Sequence, residues 1–374
     1  MRNVLAILFS ITPLCSAGLI QQRFDNSPNG WVPIGSPDAK VSVIHDPTRL
    51  KQGSGALEIR YQSSSAKPGM AFLPISQSLA EAKSINAWLM TDVPMAIAVV
   101  LSEKNGGRYS AISWVEPLEW KRIELTPADF ALSTNPQDPP DPDKKLDLDQ
   151  VEAVAILDLS QILSGFLNKR NSPIVVDAHE GEHWILMDSF EISSEAPAWS
   201  QNQTAWQIDT FKRPQSLWFG LGGITIRQND GVMQASYRQF ENRLLGLVRV
   251  LPGTDLTGAT HLAFDIGSDL RTTLFVTLEE KVPGKETGPR YRSSLVVEPG
   301  GKINHHELPL AKFKLEDNGP KDPNDKLDLD QIKTITIFDI IGLLKEGDAV
   351  NTLRISKVEL LKHDEPTPTP SAKK

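Results

Sequence analysis

Three sets of residues in this sequence carry side chains able to do chemistry. The first is His179-Glu180-Gly181-Glu182-His183, which has the letters of a zinc-protease helix, where two histidines one turn apart bind the metal and a glutamate between them acts as base. That chemistry needs a helix. Here a glycine sits at the centre and Trp184-Ile185-Leu186-Met187 follows directly, so the expectation is a polar loop ahead of a closing strand, without catalytic zinc. What remains for His179 and His183 is an adventitious transition-metal contact.

The second set is acidic: Asp141, Asp143, Asp147 and Asp149, matched by Asp322, Asp325, Asp328 and Asp330. Closely spaced aspartates can supply several of the hard oxygens that calcium takes, but the glycine and distal glutamate of a helix–loop–helix calcium loop are missing. Prolines and aspartates also build turns, with Asp149 or Asp330 capping a short helical turn, and this reading is preferred over structural calcium. No other cofactor is implied. The third set is Asp158 and Asp339, each inside an apolar stretch (ILDLS, IFDII) where an unpaired charge is costly. Each needs a partner: a lysine, an arginine or a backbone amide on the structural reading, a ligand on the functional one.

The elements that hold these residues are duplicated. RYSAISWVEP at 108–117 matches RYRSSLVVEP at 290–299, and DKKLDLDQVEAVAILDLSQIL at 143–163 aligns without a gap to NDKLDLDQIKTITIFDIIGLL at 324–344. Phe24 and Trp31 answer Phe211 and Trp218 in front; WILMDSFEIS answers TLRISKVELL behind. The units are 18–197 and 207–362, joined by a polar linker at 198–206 and followed by a disordered Pro/Thr tail at 363–374. Within each unit short alternating runs such as ALEIRY, RYSAISWVE and LFVTLEE lie between Pro, Gly and Asn turns, the pattern of antiparallel strands. The fold class is all-β: two tandem antiparallel β-sandwich domains.

Residues 1–17 read as a cleavable signal peptide, with Arg2, an apolar stretch at 4–11 and Cys15-Ser16-Ala17 before the cut, so the protein is expected in the periplasm or secreted. Leu14 is too large for the position before a lipidated cysteine, which sets a lipoprotein aside. The chain's 1 cysteine is then lost with the signal, and no disulfide or thiolate site follows. No apolar run beyond it reaches membrane-spanning length. Net charge is -8, concentrated in the first half, where 18–200 holds 24 Asp+Glu against 15 Lys+Arg, an excess of nine, while 201–362 balances at 21 each. That excess disfavours nucleic acid, anionic polysaccharide and anionic lipid as partners.

Phe24-Asp25 with Trp31, GSGALEIRY at 53–61, WKRIELTPADF at 120–130, LDLDQVEAVAILD and the closing WILMDSFEIS follow one another in an order that resembles the jelly-roll domains of the galactose-binding-like superfamily, in particular bacterial carbohydrate-binding modules and complex-I-intermediate-associated-type domains. The second unit departs from it, with NDGVMQASY at 229–237 in place of the small-residue signature and Lys302 in place of Trp120. The resemblance implies non-catalytic binding of carbohydrate, in which aromatic faces meet apolar sugar faces and planar polar side chains surround them. Arg108, Tyr109 and Trp114 share one strand; odd spacing puts Tyr109 and Trp114 on opposite faces, so at most one lines a groove. Arg290 and Tyr291 repeat the first pair, Asp158 joins the site on the functional reading, and Trp31, Trp120 and Trp218 are assigned to packing. The acidic balance favours a neutral glycan. The alternative is a structural or protein-interaction role in the bacterial envelope, with the sandwiches packed on each other or on a partner and no sugar site.

Overall fold

The computed structural model describes residues 18–363 apart from 64–68, 161–178, 202–203, 205, 240–243, 254, 284, 286 and 345–347. The expected signal peptide at 1–17 and the tail after His363 lie outside the described residues. The first unit contributes β1 (Gly18–Gln22), β2 (Val32–Gly35), β3 (Lys40–Ile44), β4 (Ala56–Ser63), β5 (Gly69–Pro74), β6 (Ser84–Thr91), β7 (Met95–Glu103), β8 (Arg108–Val115), β9 (Lys121–Leu125), β10 (Ala131–Leu132), β11 (Val151–Asp158) and β12 (Gly181–Ser193). The second contributes β13 (Gln207–Asp209), β14 (Trp218–Leu221), β15 (Thr225–Asn229), β16 (Val232–Arg238), β17 (Leu245–Val250), β18 (His261–Ser268), β19 (Thr272–Glu280), β20 (Arg290–Val297), β21 (Asn304–Pro309), β22 (Lys314–Leu315), β23 (Ile332–Asp339) and β24 (Val350–Leu361).

Pairing repeats with every label raised by twelve. The sheet β3-β4-β12-β6-β9, with β1 also on β12, recurs as β15-β16-β24-β18-β21 with β13 on β24. Its partner β10-β8-β7-β11-β5-β2 recurs as β22-β20-β19-β23-β17-β14. All strand pairs within these sheets are antiparallel. Each unit is thus a jelly-roll sandwich whose chain crosses repeatedly between two six-stranded sheets.

Alternation decides which side chains fill each sandwich. In the first, Leu57, Ile59, Ile185 and Met187 from one sheet meet Ile97, Val99, Leu101, Val154 and Ile156 from the other. In the second, Met233, Ala235, Leu353 and Ile355 face Leu274, Val276, Ile335 and Ile337. Each of these side chains larger than alanine stabilises by about 1.5 to 3 kcal/mol when fully buried. Trp31 and Trp218 lie in the two cores, as assigned. After Asp149 and Asp330 the chain enters β11 and β23 through turns, without the helical turn expected there: Gln150 N–H bonds Asp147 O at 2.9 Å, and Gln331 N–H bonds Asp328 O at 2.9 Å.

The two sandwiches pack directly on each other. Ala96, Ala98 and Ile112, on the outer face of β7 and β8, meet Phe219 and Leu221 of β14, ringed by Trp114, Val248, Val250 and Phe338. This is why β7 reads as a nearly unbroken apolar run, since both of its faces are covered over Met95–Val99. Residues 213–217 act as a plug. Leu217 enters the first core, Ser216 O accepts from Trp114 N at 3.1 Å, and Gln215 mimics a strand by accepting from Glu124 N at 3.2 Å and donating to Glu124 O at 2.6 Å. Arg213 Nη1 bonds Asp129 Oδ1 at 2.9 Å, with both side chains nearly sealed from water.

Candidate functional site

The two isolated aspartates are structural. Asp158 accepts from Tyr61 OH at 2.9 Å and from Ser160 N at 2.9 Å; Asp339 accepts from Tyr237 OH at 2.6 Å, Gln239 Nε2 at 3.1 Å and Ile341 N at 2.9 Å. Burial pushes Asp158 upward, and burial followed by the nearby carboxylate holds Tyr61 and Tyr237 well above the usual phenol range. Asp158 therefore leaves the set of ligand-facing residues. The sequence carried the missed signal: GSGALEIRY and NDGVMQASY both end in this tyrosine, and Gly69 gives the Tyr61 ring room that a Cβ, 2.2 Å from it, would occupy.

Tyr109 and Tyr291 also move from the groove to the interior. Each is 3% exposed, and their hydroxyls donate to Asp141 and Asp322, tying the acidic turns to β8 and β20. Those turns use their own carboxylates. Asp141 also accepts from Asp143 N at 3.2 Å, Asp143 from Lys145 N at 3.0 Å, Asp322 from Asn324 N at 3.2 Å and Lys326 N at 3.0 Å, and Asp328 from Asn324 Nδ2 at 3.1 Å. Asp147 and Asp328 offer their backbone N–H groups to Glu103 and Glu280, and Asp325 sits at φ 52, the bend of its turn. These bonds engage the aspartates in their own turns, the reading preferred from the sequence. Burial, then Asp322, Asp328 and Asp330, pushes Glu280 up to about 7.

His183 is the third residue of β12 rather than part of a loop. It packs behind Tyr61 with Nδ1 2.8 Å from Asp92 Oδ2, while His179 precedes the strand with its ring 5.9 Å away. A strand cannot present the two histidines as the protease motif requires.

Of the remaining residues only Arg108 lines a groove, on the outer face of the sheet β10-β8-β7-β11-β5-β2. Residues alternate with the core positions there, and a groove of about 530 Å³ runs across them. Its floor includes Ile34, Phe72, Val100, Ile112, Ala155 and Leu157. One end is polar: Arg108 Nη1 bonds Asp138 Oδ1 at 2.6 Å, Ser133 Oγ bonds Asp138 Oδ2 at 2.6 Å, and Ser102, Ser110, Asn135 and Glu152 stand beside them. Trp114 shares this face but lies under the second sandwich, its Nε1 on Glu116 Oε1 at 2.7 Å. Arg290 holds Glu316 at 3.1 Å on the other unit. A cleft between the sandwiches adjoins the groove and brings together Lys144, Lys145, Lys281 and Lys333. Burial and then Lys144 and Lys333 pull Lys281 below the usual ammonium range. Sequence reading missed Phe72, because its strand partner β2 is too short to announce itself, and missed the cleft, whose lysines come from both units.

Fold and face together define a tandem jelly-roll protein with an open groove on its first sandwich. No protein-family model matches the chain, and no curated protein matches it. Among solved structures it is similar to a family 11 carbohydrate-binding module from Clostridium thermocellum in complex with a β-1,3-1,4-mixed-linked tetrasaccharide (20% identity over 42% of this chain and 95% of that one, TM-score 0.35). It is also similar to the CBM22-1–CBM22-2 tandem of Paenibacillus barcinonensis Xyn10C (12%, 94% and 100%, TM-score 0.30) and to TmCBM61 in complex with β-1,4-galactotriose (16%, 46% and 94%, TM-score 0.30).

Proposed function

We propose that this protein is exported and binds neutral glycan chains, without cleaving them, in the outer groove of the first sandwich. The observation that carries the reading is the groove's composition. A sugar presents C–H faces and hydroxyl edges, and here an apolar floor around Phe72 runs into a cluster of Arg108, Asn135 and serine hydroxyls, in a volume of the size small-ligand sites take. Of its carboxylates, Asp138 is already held by Arg108 and Ser133, leaving Glu152 alone where hydrolysis by the usual route needs two. The first half's excess of nine acidic groups, 24 minus 15, repels anionic chains at low salt. Export rests on Arg2, the apolar stretch at 4–11 and Cys15-Ser16-Ala17.

A second reading, a partner protein in the envelope, is favoured by one observation. Val32 and Ile34 are 40% and 43% exposed. Their registers with Phe72 and Met70 place them where Phe219 and Leu221 stand in the second unit, and there the first sandwich covers them. The test is calorimetric titration of the full mature chain with soluble β-glucan, xylan and galactan oligosaccharides. Glycan binding weakened about tenfold by Phe72→Ala, and weakened by Arg108→Ala, is the expected result. An acidic oligosaccharide that outbinds the neutral ones would move the site to the lysine cleft, and silence across the panel would hand the face to a partner protein.

A further inference from the structure

We propose that His261, Glu307 and His363 form a surface site for a divalent transition metal of the zinc type, on the second sandwich and independent of the glycan groove. One ligand-capable atom from each of the three lies within 4.8 Å of those of the other two. Three neighbouring strands bring them together: His261 opens β18, which lies between β21, bearing Glu307, and β24, which ends two residues before His363. The rings of His261 and His363 meet edge to face at 4.5 Å between centroids, and His363 Nε2 is 2.9 Å from Glu307 Oε2. Although sequence composition assigned His363 to the disordered tail, its backbone N–H is fixed on Thr260 Oγ1 at 2.9 Å.

The surrounding hydrogen bonds prepare the ligands. Thr260 Oγ1 donates to Leu361 O at 3.3 Å, so its lone pairs accept the His363 N–H and, at 2.9 Å, the His261 Nδ1–H. His261 then keeps its lone pair on Nε2, the form in which imidazole binds a metal. His305 Nε2 holds the other Glu307 oxygen at 3.1 Å and is itself oriented by Asp265 at 2.7 Å. Two imidazoles and a carboxylate suit zinc and its neighbours better than calcium or magnesium, and they leave a fourth position for water or an external ligand. Binding exchanges the proton shared by His363 Nε2 and Glu307 for the metal. The ion can enter from solvent, since the His363 side chain is 49% exposed.

The duplication supplies an internal control. Asn86 pairs with Glu124 and Glu191 as Ala263 pairs with Glu307 and Glu359, so Glu124 is the counterpart of Glu307. Counting along the same registers, Ser84, Arg122 and Glu195 stand where His261, His305 and His363 do. There Glu124 is taken by Arg122 at 2.7 Å and Trp199 Nε1 at 3.0 Å. The scaffold keeps the carboxylate in both copies but does not require the histidines. Of the chain's 7 histidines, His261, His305, His306 and His363 all fall on these strands or at their ends.

The experiment uses the full mature chain without a polyhistidine tag, stripped with chelator, titrated with zinc chloride by calorimetry and with cobalt chloride by visible absorption. One equivalent of zinc and a cobalt d–d spectrum are expected. His261→Ala, His363→Ala and Glu307→Gln should each weaken zinc at least tenfold with unchanged far-ultraviolet circular dichroism. Joint replacement of His179 and His183 by Ala should leave binding unaltered. Absence of stoichiometric binding in the wild type, binding that survives joint loss of His261 and His363, or binding that follows His179 and His183 instead would overturn the site.

Discussion

In the first sandwich Tyr61 donates to Asp158 and Tyr109 to Asp141; in the second Tyr237 donates to Asp339 and Tyr291 to Asp322. These buried polar links survive duplication in both copies, while their surroundings part ways. His183 faces Tyr61 where Asn351 faces Tyr237, and Val32 and Ile34 lie open where Phe219 and Leu221 are covered. The comparison separates two kinds of polar residue. What the fold cannot do without recurs, because an orphaned buried acceptor is costly wherever the fold is built. What only one copy carries, such as the open groove or the histidine cluster, is free of that constraint and is where binding should be sought.

The largest expected effect breaks the idea that the copies are independent. Arg213→Ala leaves Asp129 buried without its cation, and losing one partner of a buried pair typically costs about 3 to 5 kcal/mol. Urea unfolding of the variant should show that loss, and joint replacement of Arg213 and Asp129 by Ala should cost less than the sum of the single changes. A loss below about 1 kcal/mol would mean that the plug at 213–217 is incidental to stability.

A middle-sized effect sharpens the comparison. Tyr109→Phe and Tyr291→Phe should each cost about 1.5 to 3 kcal/mol, the worth of a hydrogen bond to a charged acceptor, by nearly equal amounts in the two copies. Neither should alter glycan affinity. A change that weakens a glycan while sparing stability would return Tyr109 to the groove.

How much of this was legible beforehand depends on the range over which each residue acts. Strand alternation and the repeat are local, so two antiparallel sandwiches could be read directly from runs such as ALEIRY and LFVTLEE. Odd spacing put Tyr109 and Trp114 on opposite faces, but which face was core depended on sheet partners far along the chain. The same limit hid the partner of Asp158, which lies 97 residues away at Tyr61. Trp114 stands on the outer face and is lost to ligand for a reason no single strand carries: the second sandwich sits on it. Asp141 and Asp322 were legible as turn residues, yet their tyrosine donors were not, because they lie on neighbouring strands.

The smallest expected effect tests whether the matched acidic turns carry matched electrostatics. Glu280 has an ordinary pKa of 4.5 that folding raises to about 7, through burial and then the carboxylates of Asp322, Asp328 and Asp330. Folded protein therefore holds this proton more tightly than unfolded chain. The contribution to stability is full below about pH 4.5, declines as pH rises toward about 7, and is flat above, the reverse of a salt-bridged carboxylate. Glu280→Gln keeps an oxygen to accept the Asp328 N–H, now 2.6 Å away, while removing the charge. A tenfold change in proton affinity corresponds to about 1.4 kcal/mol, and screening by solvent reduces the yield, so the variant should gain roughly 1 to 2 kcal/mol over wild type at pH 8 and nothing at pH 4.5. Glu103 is raised by burial and by Asp141, Asp147 and Asp143, so Glu103→Gln should show the same sign. Thermal melting of both variants and wild type from pH 4.5 to 8 reads the difference. Curves that run parallel to wild type at every pH would show that these carboxylates ionise without strain and that the two turns are matched in shape alone.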